Sequence, residues 1–135
     1  MAKGSCNCGE FTYEFTGEPK ANVVCHCVPC LKTAGANGST NTIIPSDRYN
    51  QLSGDIREWT RKGVSGKDLT YYNCATCGCI MYVRGLAMEG LTIVKTGTID
   101  DAGEMGQMRP GLEIFTRSRV EWCPAMPGTE QKEIA

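Results

Sequence analysis

The chain has 135 residues, 41% apolar and 7% aromatic, with a formal net charge of −1 and nine cysteines against a single histidine. That length suits one domain, whose core buries roughly two-thirds of the unfolded surface. Fourteen Lys and Arg against fifteen Asp and Glu leave no basic excess for nucleic acid, and no apolar run approaches the ~20 residues of a membrane span.

Phe11, Tyr13 and Phe15 alternate with Thr12 and Glu14, the period-2 pattern of a strand with one buried face. Val23-Val24 reads as a strand entering the second cysteine cluster, and Thr42-Ile43-Ile44 as one ended by Pro45. Ser46 is placed to cap a brief helix running through Tyr49 to Leu52 and stopped by Gly54. Ile56–Arg61, Leu69–Asn73, Ile80–Arg84, Leu91–Ile99 and Glu113–Trp122 read as further strands, rich in Val, Ile, Thr, Tyr and Trp. Gly103 to Gly111 reads as a loop over the site. Trp59, Tyr71, Tyr72, Tyr82, Phe115 and Trp122 are expected to fill the core. From Pro124 the chain turns polar and reads as an extended, partly loose tail. The expectation is a mostly-β domain over residues 1–123, with little helix, followed by a tail over 124–135.

The N-terminus, Met1-Ala2-Lys3-Gly4-Ser5-Cys6, has no apolar stretch after its lysine, so no secretory leader is read and a cytoplasmic protein is expected. Reduced thiols at such density point to metal or catalysis rather than disulfides. One histidine, His26, excludes zinc sites that need two or three imidazoles. Three clusters stand out: Cys6-Asn7-Cys8-Gly9, Cys25-His26-Cys27-Val28-Pro29-Cys30 and Cys74-Ala75-Thr76-Cys77-Gly78-Cys79. Tight turns present paired thiolates to one ion, and Gly9 and Gly78 let the backbone turn beneath it at positive φ. Spacing alone permits Cys27/Cys30 with Cys74/Cys77, or Cys6/Cys8 with Cys74/Cys77. The second pairing, mildly favoured by stereochemistry, leaves Cys25, Cys27 and Cys30 as a local three-thiolate set with an open fourth corner.

Gly4-x-Cys6-x-Cys8-Gly9, Cys25-His26-Cys27-x-x-Cys30, Cys74-x-x-Cys77-Gly78 and the late Gly97-Thr98-Ile99-Asp100 resemble the glutathione-dependent formaldehyde-activating enzyme family, which also contains centromere protein V. The likeness runs from about Gly4 to Trp122. It implies a tent of short antiparallel β-sheets and two zinc ions per chain. A structural zinc would sit on Cys6, Cys8, Cys74 and Cys77, and a labile catalytic zinc on Cys25, Cys27 and Cys30. The activity it implies is carbon–sulfur bond chemistry, interconverting S-hydroxymethylglutathione with formaldehyde and glutathione. The partner is then a small molecule, a glutathione adduct or small carbonyl compound, and no residue argues for or against a homodimer. Leu31 departs from the family, where an arginine often follows the trio, and Cys79 departs from a small polar residue.

His26 is a candidate general base, or a hydrogen-bond donor to a ligating sulfur, with orientation of its loop as the plainer role. Arg57, Arg61 and Lys62 are candidates for substrate carboxylates, and Asp100 for a base or a turn former. Two other functions fit the same residues: a zinc-dependent lyase, dehydratase or isomerase acting on a small metabolite without glutathione, and a non-enzymatic zinc-stabilised interaction module.

Overall fold

The computed structural model describes residues 1–135. Eleven strands and two short helices follow one another along the chain. β1 (Ala2–Ser5), β2 (Thr12–Phe15) and β5 (Tyr49–Ser53) form a three-stranded antiparallel sheet in the order β1-β2-β5. The remaining strands are β3 (Ala21–Cys25), β4 (Ser39–Pro45), β6 (Ile56–Lys62), β7 (Asp68–Cys74), β8 (Ile80–Gly85), β9 (Leu91–Lys95), β10 (Leu112–Ile114) and β11 (Glu130–Gln131). They make an eight-stranded sheet in the order β11-β10-β3-β4-β9-β8-β7-β6. Only β10 runs parallel to its neighbours, β3 on one side and β11 on the other. The fold is mostly β, and neither helix is long and apolar enough to cross a membrane.

Side-chain alternation gives the large sheet two different faces. Ile44 of β4, Tyr82 of β8 and Val94 of β9 point to one side, where they meet Phe11, Tyr13 and Phe15 of the small sheet in the main core. Phe11, Tyr13 and Phe15 are completely or almost completely buried, as their alternation predicts. The opposite face carries Val23, Val83 and Tyr71, all buried, and the half-buried Ile43 and Ile93. The two sheets are also tied at one corner. Gly4 bridges Ile99, and the Asp100 N–H donates to Lys3 O at 2.9 Å. Gly4 sits where a Cβ would lie 2.2 Å from the Tyr13 ring, so only glycine lets β1 close over that aromatic.

Four expectations are corrected. Ser46 opens a single 3₁₀ turn, its hydroxyl bonded to Thr92 Oγ1 rather than capping, and Tyr49–Ser53 is a strand. Polar Tyr49-Asn50-Gln51 suits an edge strand paired to β2 and only half-covered. The strand expected over Glu113–Trp122 ends at Ile114, because Phe115 enters the left-handed region at φ 53° and starts a 3₁₀ turn. Gly103–Gly111 is not a loop over the site: α2 (Ala102–Gln107) forms there, Asp101 accepts from the Glu104 N–H, and Met105 and Met108 pack on the main core. Trp59 and Trp122 are 56% and 64% exposed rather than in the core, Trp59 because β6 is the sheet's edge. Beyond Pro124 the chain turns at Pro127-Gly128, adds β11 to the sheet and bonds back to Glu113 and Phe115.

Phe15→Ala is expected to lower unfolding stability by about 3–5 kcal/mol, whereas Leu52→Ala, on an exposed side chain, changes it by less than about 0.5 kcal/mol. Urea unfolding measures both, as a shifted midpoint at unchanged slope.

Candidate metal centres

The first cluster is built by two turns. Cys6 follows β1, and the chain doubles back at once, Gly9 N–H donating to Cys6 O at 3.1 Å. Cys74 ends β7, and Gly78 N–H donates to Cys74 O at 2.9 Å in a turn one residue longer. Gly9 and Gly78 have φ of 82° and 76° with open space around them, so conformation rather than crowding requires glycine there, as the sequence predicts. Cys6, Cys8, Cys74 and Cys77 are brought together with their sulfurs within 4.8 Å of one another. Cys6 Sγ stands 3.5 Å from Cys8 Sγ, and Cys8 Sγ 3.8 Å from Cys74 Sγ. Four sulfurs set tetrahedrally at about 2.3 Å from an ion would stand about 3.8 Å apart. The donor set therefore fits zinc, and the separations are far too long for disulfides. The Phe11 N–H also donates to Cys6 Sγ at 3.3 Å, a bond that orients a ligating sulfur.

The second cluster uses a strand end and a helix start. Cys25 closes β3, Cys27 is the N-cap of α1 (Val28–Ala34), and Cys30 lies one turn into it. Residues three apart share a helix face, so Cys27 and Cys30 converge. Pro29 in the first turn and Gly35 at the end, φ 104°, are the local signals for this helix, which the sequence reading passes over as a turn. The three sulfurs lie within 4.8 Å of one another, with no fourth Cys, His, Asp or Glu in the group. Cys25 and Cys30 are buried and Cys27 half-buried.

In both groups the ionisation of some thiols works against that of others. In the trio, hydrogen bonds with Cys27 and Cys30, together with burial, push the Cys25 thiol far up. Cys30 is drawn down by Cys25 and Cys27, against burial, with help from Ser39 and the Lys95 ammonium. In the first group, burial raises Cys6, but the Phe11 N–H and its three sulfur neighbours outweigh it and hold the thiol at about 6. Cys8 is lowered by the Glu10 backbone but pushed up to about 12 by Cys6, burial, Cys77 and Cys74. Closely placed thiolates repel, so neither group can ionise fully without a cation among them.

The trio opens on a pocket of about 360 Å³ above the second face of the large sheet, lined in part by Cys25, Cys27, Cys30, Tyr71, Lys95 and Arg61. Lys95, which the sequence reading does not single out, donates to Asn41 Oδ1 at 2.8 Å. Burial lowers its pKa, opposed by the thiolates of Cys30, Cys25 and Cys27. Its position two residues after Ile93 on a period-2 strand is the signal that would have found it. Of the expected substrate-binding cations, Arg61 lines this pocket, donating through Nε to the Tyr71 hydroxyl at 3.0 Å. Lys62 is instead paired to Asp68 at 2.6 Å, and Arg57 lies outside the lining. Asp100 accepts from Ser5 Oγ at 2.6 Å beside the first cluster and is not part of the pocket. Cys79 packs against the main core, and Cys123 joins neither sulfur group.

His26 is completely buried, its ring outside the pocket lining. Its Nε2 is 2.8 Å from Glu113 Oε1, while Nδ1 has no partner. Gly38 covers the ring: a Cβ there would stand 3.0 Å from Nδ1 and 2.9 Å from Cys25 O. Glu113, 3% exposed, carries a second set of bonds on Oε2: Met126 N–H at 2.9 Å, Thr129 Oγ1 at 3.1 Å, Gln131 Nε2 at 2.7 Å and Arg119 Nη2 at 3.2 Å. Burial would raise this carboxyl, but the bonds from His26, Gln131, Met126 and Thr129 hold it down at about 2. Glu113 is therefore a carboxylate and His26 Nε2–H the donor.

Fold and sulfur geometry together define a mostly-β, thiolate-rich domain with two groups of residues that could hold metal ions. Residues 1–118 match the family described as glutathione-dependent formaldehyde-activating enzyme, and the chain belongs to that family. Among solved structures, the crystal structure of a Rhodobacter sphaeroides protein is similar in fold: TM-score 0.58 at 16% identity, covering 77% of this chain and 94% of that one. No curated protein matches the sequence.

Glu113→Ala is expected to destabilise the domain by about 3–5 kcal/mol, since it strands His26 and Arg119. Deleting residues 124–135 should give part of the same loss by removing three of the donors to Oε2. Thermal unfolding checks both.

Proposed function

We propose that the chain is a zinc-dependent enzyme of carbon–sulfur bond chemistry, a lyase-type catalyst acting on the adduct of a thiol and a small carbonyl compound. The observation that carries this reading is the unequal placement of the two sulfur groups. Cys25, Cys27 and Cys30 line a pocket, whereas Cys6, Cys8, Cys74 and Cys77 form a complete four-sulfur set outside it. In this reading the four hold a structural zinc and the three a catalytic one. Zinc on three thiolates with a free corner supplies a Lewis acid that favours the thiolate form of a substrate or polarises a carbonyl. In the net reaction sulfur bonds to the carbonyl carbon and the thiol proton ends on oxygen; the reverse breaks that carbon–sulfur bond.

The chain's own groups supply the setting. Lys95 places a cation beside the three thiolates and the Tyr71 hydroxyl sits across from them, both within the pocket. Arg61 fixes that hydroxyl through its Nε. His26 acts as a positioning residue: bonded to Glu113 and enclosed, it holds the turn between Cys25 and Cys27 rather than touching substrate. A second reading, a lyase, dehydratase or isomerase working without glutathione, draws support from Leu31, where the trio lacks its neighbouring family cation. A pocket beside the trio speaks for either enzyme over a purely structural interaction module.

Purified protein is expected to hold two zinc ions, one released to a chelator while the circular dichroism spectrum persists. Cys27→Ser should stay folded and lose interconversion of formaldehyde and glutathione with S-hydroxymethylglutathione, followed by exchange NMR; Cys6→Ser should unfold. Equal collapse of both variants would overturn the division of roles.

A further inference from the structure

The pocket's floor is written in the register of the sheet. Alternation puts Val23 and Cys25 of β3, Asn41 and Ile43 of β4, and Ile93 and Lys95 of β9 on one face. Ile43 pairs with Ile93, Ile93 with Val83 and Val83 with Tyr71, so an apolar row crosses four strands to reach the aromatic beside Arg61. Ile114 and Phe115 add an apolar wall next to the trio. Ala135 completes it from beyond residue 118, where the match to the family ends.

Charge on the lining is sparse and one-sided. The side-chain cations are Arg61, Lys67 and Lys95, and the one side-chain carboxylate, Asp68, is already paired with Lys62. The molecule's other ion pairs join Glu113 to His26 and Arg119, which leaves Arg61 and Lys95 without any carboxylate. Glutathione carries two carboxylates, an ammonium and two amides. Each would lose water against a floor of methyl and methylene groups with few donors or acceptors to replace it. A molecule with an apolar body and one anionic end meets that penalty only at the anionic end, where Arg61 stands to offset it.

Resting on the carbon–sulfur reading above, we propose that this pocket takes an apolar thiol bearing a single carboxylate, free or as its carbonyl adduct, in preference to the glutathione tripeptide. The apolar body lies on Ile43, Ile93 and Val83, the sulfur end meets the Cys25–Cys27–Cys30 site, and the carboxylate is held by Arg61.

The test loads the protein with cobalt in place of zinc and follows its visible absorption during titration with 6-mercaptohexanoate, 6-mercaptohexanol and glutathione. The expected result is a spectral change with the first at a Kd at least roughly tenfold below that for glutathione. Arg61→Met should weaken 6-mercaptohexanoate by about fivefold or more and leave 6-mercaptohexanol within about twofold; Arg61→Lys should restore part of the loss. Glutathione binding as tightly as 6-mercaptohexanoate, or equal effects of Arg61→Met on the acid and the alcohol, overturns the substrate class and leaves the metal reading standing. If no thiol changes the spectrum of cobalt-loaded protein, the metal reading itself falls. Sedimentation run on the same samples covers the remaining occupant of an apolar face. A dimer dissolved by Leu69→Glu, with no thiol bound by the wild-type chain, assigns the face to a second copy and overturns the proposal.

Discussion

Mutual repulsion among gathered thiolates is the constraint from which the rest of this structure follows. Seven sulfurs are drawn into groups of four and three, and in each group ionisation of some thiols pushes another up, Cys8 in the four and Cys25 in the three. A divalent cation removes the conflict, and metal binding to such a set is folding free energy as much as ligand binding. The elements around each group serve as holders: β1 and β7 deliver a sulfur and turn back, and the first turn of α1 carries Cys30 around to Cys27.

Much of this was legible in residue order, because the signals were local. Phe11, Tyr13 and Phe15 are buried as their alternation says, and the glycines after Cys8 and Cys77 take the positive φ that their turns need. The four-plus-three grouping of sulfurs was left open by spacing and suggested by family resemblance; the positions of the atoms now support it. What escaped depended on partners far away in sequence. Tyr49–Ser53 has no strong strand pattern of its own and becomes one by pairing with β2. Asp101 and Glu104 carry a capping signature that Gly103 and Gly106 obscured. Lys95 acquires meaning only when β4 sets Asn41 beside it and β3 brings the trio near.

Two-facedness of the large sheet links fold to function. Its aromatic and aliphatic side packs on the three-stranded sheet and supplies cohesion; its other side is apolar and lines the pocket beside the trio. Antiparallel sheets often put a polar face toward water. Here the second face keeps Val23, Ile43, Ile93 and Val83, the composition of a binding surface rather than of a solvated one.

The bonds converging on Glu113 also impose an order on biosynthesis. Cys25, His26 and Cys27 are translated early, but the carboxylate that seats His26 comes some ninety positions later, and Met126, Thr129 and Gln131, which tie that carboxylate down, later still. A nascent chain emerges from its N-terminus onward at a few to some tens of residues per second. The sulfurs of both groups have thus all emerged by Cys77, while the bonds that support the three-sulfur loop still wait on the last part of the chain.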